Sequence, residues 1–241
     1  MSIRIGILDT LPPEYNIDGE QTDPQKFVDM FTTVNAPFSY EIYESTQGHL
    51  PIDLHECDAY LITGSSCSVF ESYPWIAPLE VFVRSSYAAS KPLVGVCFGH
   101  QLIAQALGGR VSRADDGWLL GLESFEIQAS KPWMAGSQSE HSLYFINEDQ
   151  VDVLPAGMEL LASSDACRNA MYCADDKLLC IQGHPEQPLA SMRLFTQHLL
   201  NDDLLDQATG TRAHRTMAAG KPDAVLVAAW IRDFLLAALP Q

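Results

Sequence analysis

Apolar positions along this chain follow two alternating rhythms. Short, nearly continuous apolar runs at 3–8, 38–43, 59–63, 92–94 and 178–181 read as strands. Between them lie stretches whose apolar residues recur three or four apart. One spans 23–34 and opens on Asp23-Pro24; another spans 75–89 and sets Ile76, Leu79, Val83 and Tyr87 near one face; a third spans 102–107 and closes on Gly108-Gly109. Strand–helix alternation predicts an α/β fold: an open, mostly parallel, doubly wound sheet flanked by helices. From 110 to 173 the rhythm changes. Strand-like runs at 122–127, 143–146 and 159–162 are separated by turn-rich pieces, which predicts a small antiparallel extension. Helices are expected at 188–200 and 224–239, with a loop and an irregular helix over the polar stretch 201–222. With no repeat and no low-complexity tract, residues 1–241 read as one domain.

Ligands of such sheets bind where strands end at their carboxyl edge. The run Gly95-Val96-Cys97-Phe98-Gly99-His100-Gln101 places a cysteine on a sharp turn between a strand and a helix. That turn exposes a nucleophile in a strained position, and glycines at 95 and 99 permit close strand–helix approach. The helix N-terminus beside the sulfur favours thiolate. Downstream, His184 follows the apolar strand 178–181, and Pro185 biases it toward extended backbone. In extended backbone Glu186 lies on the same side as His184. Cys97 is therefore the expected nucleophile, His184 the general base and acid, and Glu186 the group that fixes the imidazole. Gly64 also follows a strand, and its N–H together with that of Phe98 is the expected pair of oxyanion donors. The alternatives are a buried structural thiol at Cys97, a loop histidine, a surface glutamate and a plain turn at Gly64. Cys67 reads as a bystander thiol, and His100, on another face of the helix, as no base.

These motifs resemble the class I, triad-type glutamine amidotransferases, whose fold is flavodoxin-like. Residues 95–101 match the nucleophile motif, Gln182-Gly183-His184-Pro185-Glu186 the His-Pro-Glu motif, Ile62-Thr63-Gly64-Ser65-Ser66 the oxyanion loop, and Asp149-Gln150-Val151 a further element. The resemblance runs from about Ile3 past Glu186, and the nearest group is that of stand-alone amidotransferase-like proteins close to plant γ-glutamyl peptidases. It implies that Gln101 helps to hold the substrate and that Asn147 borders the glutamyl pocket. In that group a His precedes Gln-Asp-Gln-Val; here Asn147 takes its place, which leaves the acyl donor open. The implied reaction is cysteine-dependent hydrolysis of a γ-glutamyl amide through a γ-glutamyl thioester, with glutamine the simplest donor. A γ-glutamyl peptidase acting on peptides or amines is the alternative, and a non-catalytic binding or stress-sensor protein built on a similar cysteine elbow is a third. Glutaminase-type relatives pass ammonia onward, so an ammonia-accepting partner protein is a further expectation.

Composition narrows the picture. The net charge of -17, from 31 acids against 14 Lys and Arg, argues against nucleic acid and against an anionic membrane surface. The start Met1–Asp9 is too short and strand-like for a signal peptide, and no apolar run spans a bilayer. Six scattered cysteines without a CxxC pair suit free thiols in a cytoplasmic protein. The histidines show no metal-ligand spacing, and Ala219-Gly220-Lys221 lacks the rest of a phosphate loop, so neither metal nor cofactor is expected.

Overall fold

The computed structural model describes residues 3–17, 19–175 and 177–239; Met1 and Ser2 of the start sequence lie outside them. In chain order the elements are β1 (Ile3–Asp9), α1 (Asp23–Thr33), β2 (Phe38–Glu44), β3 (Ala59–Ile62), α2 (Ile76–Ala88), β4 (Leu93–Val96), α3 (Phe98–Ala106), β5 (Arg110–Arg113), β6 (Leu119–Ile127), β7 (Glu140–Asn147), β8 (Asp149–Val153), β9 (Glu159–Ser163), β10 (Met171–Ala174), β11 (Leu178–Ile181), α4 (Leu189–Asn201), α5 (Gln207–Ala219) and α6 (Ala224–Ala238). A nine-stranded sheet runs β2-β1-β3-β4-β11-β10-β9-β6-β7. Its pairings are parallel from β2 to β11 and antiparallel from β11 to β7. Strands β5 and β8 form a separate antiparallel pair.

Alternation along the central strands feeds two cores. Ile5, Ile7, Val94, Val96, Leu179 and Ile181 point to one face, under α1 and α6, where Phe27, Phe31, Trp230 and Phe234 meet them. Leu8, Leu93, Leu178 and Cys180 point to the other, under α2 and α3, with Leu79, Val83, Leu102 and Ile103. Burial on both faces is why these strands read as unbroken apolar runs, and it makes their order and direction the one arrangement that hides both sets.

Four elements depart from the sequence reading. The stretch expected as a loop with an irregular helix contains the regular helix α5. Asp206 caps it, its carboxylate accepting from the N–H groups of Ala208 and Thr209 at 2.9 Å each. The buried face of α5 is Gly210, Ala213 and Met217, so small residues carry the helical spacing and the large-residue signal is weak. Strands β5 and β8 each bury one valine, Val111 and Val151, within an otherwise polar run. The wholly buried β10 is four residues long and follows a turn. The antiparallel part is accordingly larger than expected. Among the described residues no helix is long and apolar enough to cross a membrane.

At the carboxyl end of β1, burial pushes the Asp9 carboxyl up to about 6, against the Leu11 N–H that it accepts at 3.1 Å and with repulsion from Asp23 and Glu44 added. Between about 4, where the unfolded chain releases this proton, and that value, the folded chain binds more protons than the unfolded one. Stability attributable to Asp9 therefore falls as pH rises through this window. Asp9→Asn is expected to melt higher than the parent at pH 7 and equally at pH 4, as read by thermal denaturation.

Candidate active site

Four strands of the parallel block deliver their carboxyl ends to one place: Asp9 ends β1 and Thr10 follows it, Thr63 and Gly64 follow β3, Cys97 follows β4, and Gln182 to His184 follow β11. Cys97 has φ 52° and ψ -103°, a region that a residue with a side chain rarely adopts. The strain is held from three sides. The Cys97 N–H donates to the Ile181 carbonyl at 2.9 Å, the Gly99 N–H to the Thr63 carbonyl at 3.0 Å, and the Cys97 carbonyl accepts from Gln101 N–H at 3.1 Å.

Two glycines make the elbow possible. A Cβ on Gly95 would lie 2.6 Å from the Gly99 carbonyl carbon and oxygen, and one on Gly99 would lie 2.4 Å from the Ile62 carbonyl oxygen. Backbone cannot yield as a flexible side chain can. Gly99→Ala is therefore expected to destabilise the fold by about 3 kcal/mol, at the upper end of overpacking effects, read as a lower denaturant midpoint with an unchanged slope.

His184 meets Cys97 from β11. Its N–H donates to the Tyr144 carbonyl at 2.8 Å, which ties the loop after β11 to β7. Its Nδ1 lies 2.6 Å from Glu186 Oε1, and both side chains are buried. Nε2 is buried and has no hydrogen-bond partner among the described residues. Burial works against a charged ring. The Glu186 carboxylate, hydrogen-bonded to Nδ1, and the nearby Cys97 sulfur outweigh it and hold the His184 pKa well above the ordinary imidazole value. Gly64 borders both groups: a Cβ built on it would lie 3.3 Å from His184 Cε1 and 3.7 Å from Cys97 Cβ.

The peptide before Gly64 has a fixed orientation. The Thr63 carbonyl accepts from Gly99 N–H and from Thr10 Oγ1 at 3.1 Å, so in this trans peptide the Gly64 N–H points the opposite way. Thr10 Oγ1 also donates to the Gly64 carbonyl at 2.9 Å. Among the described residues no carbonyl accepts from the N–H of Gly64 or of Phe98. Thr10, wholly buried, was invisible in the sequence, since a threonine after a strand carries no signal of the loop it pins.

A pocket of about 70 Å³ opens beside Cys97, lined among others by Ser65, Cys67, Gln101, Arg113, Asn147 and Asp149. Gln101 Nε2 donates to the Asp149 carbonyl at 2.8 Å and to Gln182 Oε1 at 3.0 Å, which leaves its carbonyl oxygen for a ligand. Asn147 Nδ2 donates to the Asp149 carbonyl at 3.1 Å, while its Oδ1 is buried and has no partner. The pocket also carries both signs of charge: Arg113 lies 3.4 Å from Asp149 and 3.5 Å from Glu148, and Ser68 Oγ donates to Asp149. Arg113 and Ser68 were missed for want of any local motif. His100 takes no part. Its ring packs 4.9 Å from Tyr172 in the core, and burial lowers its pKa to about 3. Among the described residues no cluster of His, Cys, Asp or Glu has metal-binding geometry.

A cysteine on a strand–helix elbow, an imidazole and a carboxylate gathered at the rim of a mixed α/β sheet define a class of protein. The chain belongs to the glutamine amidotransferase class-I family, whose model matches residues 31–207. It is 31% identical over 204 residues to γ-glutamyl peptidase 3 of Arabidopsis thaliana, covering 81% of this chain and 82% of that one. With γ-glutamyl peptidase 5 of the same plant it shares 33% identity over 191 residues, 76% of each chain. Its fold is similar to that of a glutamine amidotransferase from Thermotoga maritima, with a TM-score of 0.77 at 17% identity and full coverage of both chains.

Proposed function

We propose that the protein hydrolyses γ-glutamyl amide bonds with Cys97 as nucleophile. The observation that carries this reading is the strained Cys97 elbow beside a buried His184–Glu186 pair that bonds at 2.6 Å. The Cys97 thiol gives its proton to His184 as its sulfur attacks the γ-carbonyl carbon, and negative charge moves to the carbonyl oxygen. The N–H groups of Gly64 and Phe98, both without an acceptor among the described residues, are the donors for that oxygen; each contributes about 10²–10³ in rate. The C–N bond then breaks as the His184 imidazolium, favoured by the neighbouring Glu186 carboxylate, protonates the leaving nitrogen, and a γ-glutamyl thioester remains. Now neutral, the imidazole takes a proton from water as the water attacks the thioester carbon; the C–S bond breaks, the sulfur recovers its proton from the imidazolium, and glutamate leaves. Glu186 holds Nδ1–H throughout, so that Nε2 faces the reacting atoms.

The pocket suits the glutamyl head group. Asn147 Oδ1 is an acceptor without a partner, the Gln101 carbonyl is free to accept, and Arg113 with Asp149 offers both charges that an amino acid carries. The names of the plant relatives favour a peptide or amine as leaving group; ammonia from glutamine, released to water or to an accepting partner protein, is the second reading. Glutamate release from glutamine and from a panel of γ-glutamyl dipeptides distinguishes them. A higher kcat/KM on the dipeptides supports the peptidase; a preference for glutamine reverses the order. Release from neither, with reversible oxidation of Cys97, supports the non-catalytic alternative and ends the proposal.

A further inference from the structure

Behind the imidazole–carboxylate pair lies a second buried charge cluster that the reaction above does not use. Lys26, on the first turn of α1, has a side chain only 2% exposed. Its Nζ lies 3.2 Å from Asp23 Oδ1 and 3.3 Å from Glu20 Oε1, and 5.3 Å from the ring centre of Phe195 on α4. Glu20 accepts a hydrogen bond from Ser191, also on α4. Asp23 Oδ1 accepts in turn from Gln187 Nε2 at 3.4 Å, and Gln187 is the residue after Glu186. Glu186 Oε2 and Gln187 Oε1 are buried and have no hydrogen-bond partner among the described residues. The Asp23 carboxyl is raised by burial; Lys26 opposes this, repulsion from Glu186 adds to it, and attraction to His184 counters it. The cluster and the candidate triad thus share one electrostatic neighbourhood.

We propose that Asp23 and Lys26 are a buried charge pair that positions Glu186 and, through it, the His184 imidazole. This rests on the reading of His184 and Glu186 as catalytic residues; Asp23 and Lys26 are positioning residues. Lys26 is the cation of this cluster, and the Asp23 it holds accepts from Gln187, the residue that follows Glu186. Removing Lys26 alone leaves the buried Asp23 without that cation, so the Gln187 contact shifts and with it the bond to Nδ1. Removing the Asp23 charge alone leaves Lys26 to Glu20 and draws it away from Gln187, although an Asn side chain still accepts from Gln187. A clamp that merely fastened α1 to α4 would show neither charge dependence nor mutual rescue.

The test uses Asp23→Asn, Lys26→Met and the double variant, with kcat, KM, the melting curve and the low-field proton NMR signal of the His184–Glu186 hydrogen bond as readouts. Each single variant is expected to lower kcat about 10-fold, as a small misplacement of the base does. KM should stay within about twofold, because ground-state binding is untouched. The low-field signal should move in each single variant, and the double variant should recover both kcat and the signal position. Folded single variants with parental kcat and an unmoved signal overturn the proposal, as does a double variant no better than the worse single. Should Lys26→Met fail to fold, the isosteric Asp23→Asn decides alone. The NMR signal reports the hydrogen bond whether or not γ-glutamyl compounds prove to be the substrates, so a failure of that reading is seen separately.

Discussion

Cys97→Ala is expected to lower γ-glutamyl hydrolysis by at least about 10⁴-fold, to what substrate binding and oxyanion contacts alone provide. The loss is chemical and not structural. Among the described residues the Cys97 sulfur makes one weak hydrogen bond, at 3.9 Å to the Ile146 carbonyl, and the elbow is held by backbone bonds that Ala keeps. The melting temperature should move little, with a stability change within about 1 kcal/mol. Product release assayed beside a melting curve checks both halves. A stable Cys97→Ala protein that retains activity would transfer the chemistry to another group.

Glu186→Gln is expected to lower kcat by about 10³–10⁴-fold with KM nearly unchanged, the effect of losing the carboxylate that fixes the imidazole tautomer. The 2.6 Å bond places a full negative charge on Nδ1–H inside a buried site, where screening by water is small. Gln has the same shape without the charge, so the ring loses both its preferred tautomer and the stabilisation of its cationic form. The same loss lowers the His184 pKa, since the Glu186 carboxylate is the strongest influence that raises it. The low-field NMR proton should shift in this variant, and initial rates across pH measure the kinetic change.

Much of this arrangement was legible in the chain because two physical constraints leave strong marks. Strands buried on both faces must be continuous in Ile, Leu and Val, so β1, β3, β4 and β11 stood out with nearly correct bounds. The elbow needs backbone to touch backbone at Gly95 and Gly99, so glycine spacing around Cys97 marked a turn and not a core thiol. The Pro after His184 and the Glu two residues on place ring and carboxylate on one side of the chain, where they bond at 2.6 Å. What stayed hidden was hidden for equally physical reasons. Helix α5 buries Gly210 and Ala213, and small residues leave little trace in a hydrophobic pattern. Thr10, Arg113 and Ser68 act through contacts that cross 53, 36 and 81 positions of the sequence, and no local rule reaches that far. Gln101 was expected to serve the substrate, and its amide nitrogen also donates to the Asp149 carbonyl and to Gln182 Oε1, a use visible only once α3, β8 and β11 are side by side. Nothing in the local sequence marks Lys26 as buried, and only the packing of α4 over it reveals the ion pairs with Glu20 and Asp23.

The central claim is that the Cys97 sulfur forms a covalent bond to a γ-glutamyl carbon. Incubation with an electrophilic glutamine analogue, followed by peptide mass spectrometry, examines that bond directly. The account predicts a single adduct on the peptide containing Cys97, absent from Cys97→Ala and formed more slowly in Glu186→Gln. An adduct on a different cysteine, or labelling that persists undiminished in Cys97→Ala, would contradict it.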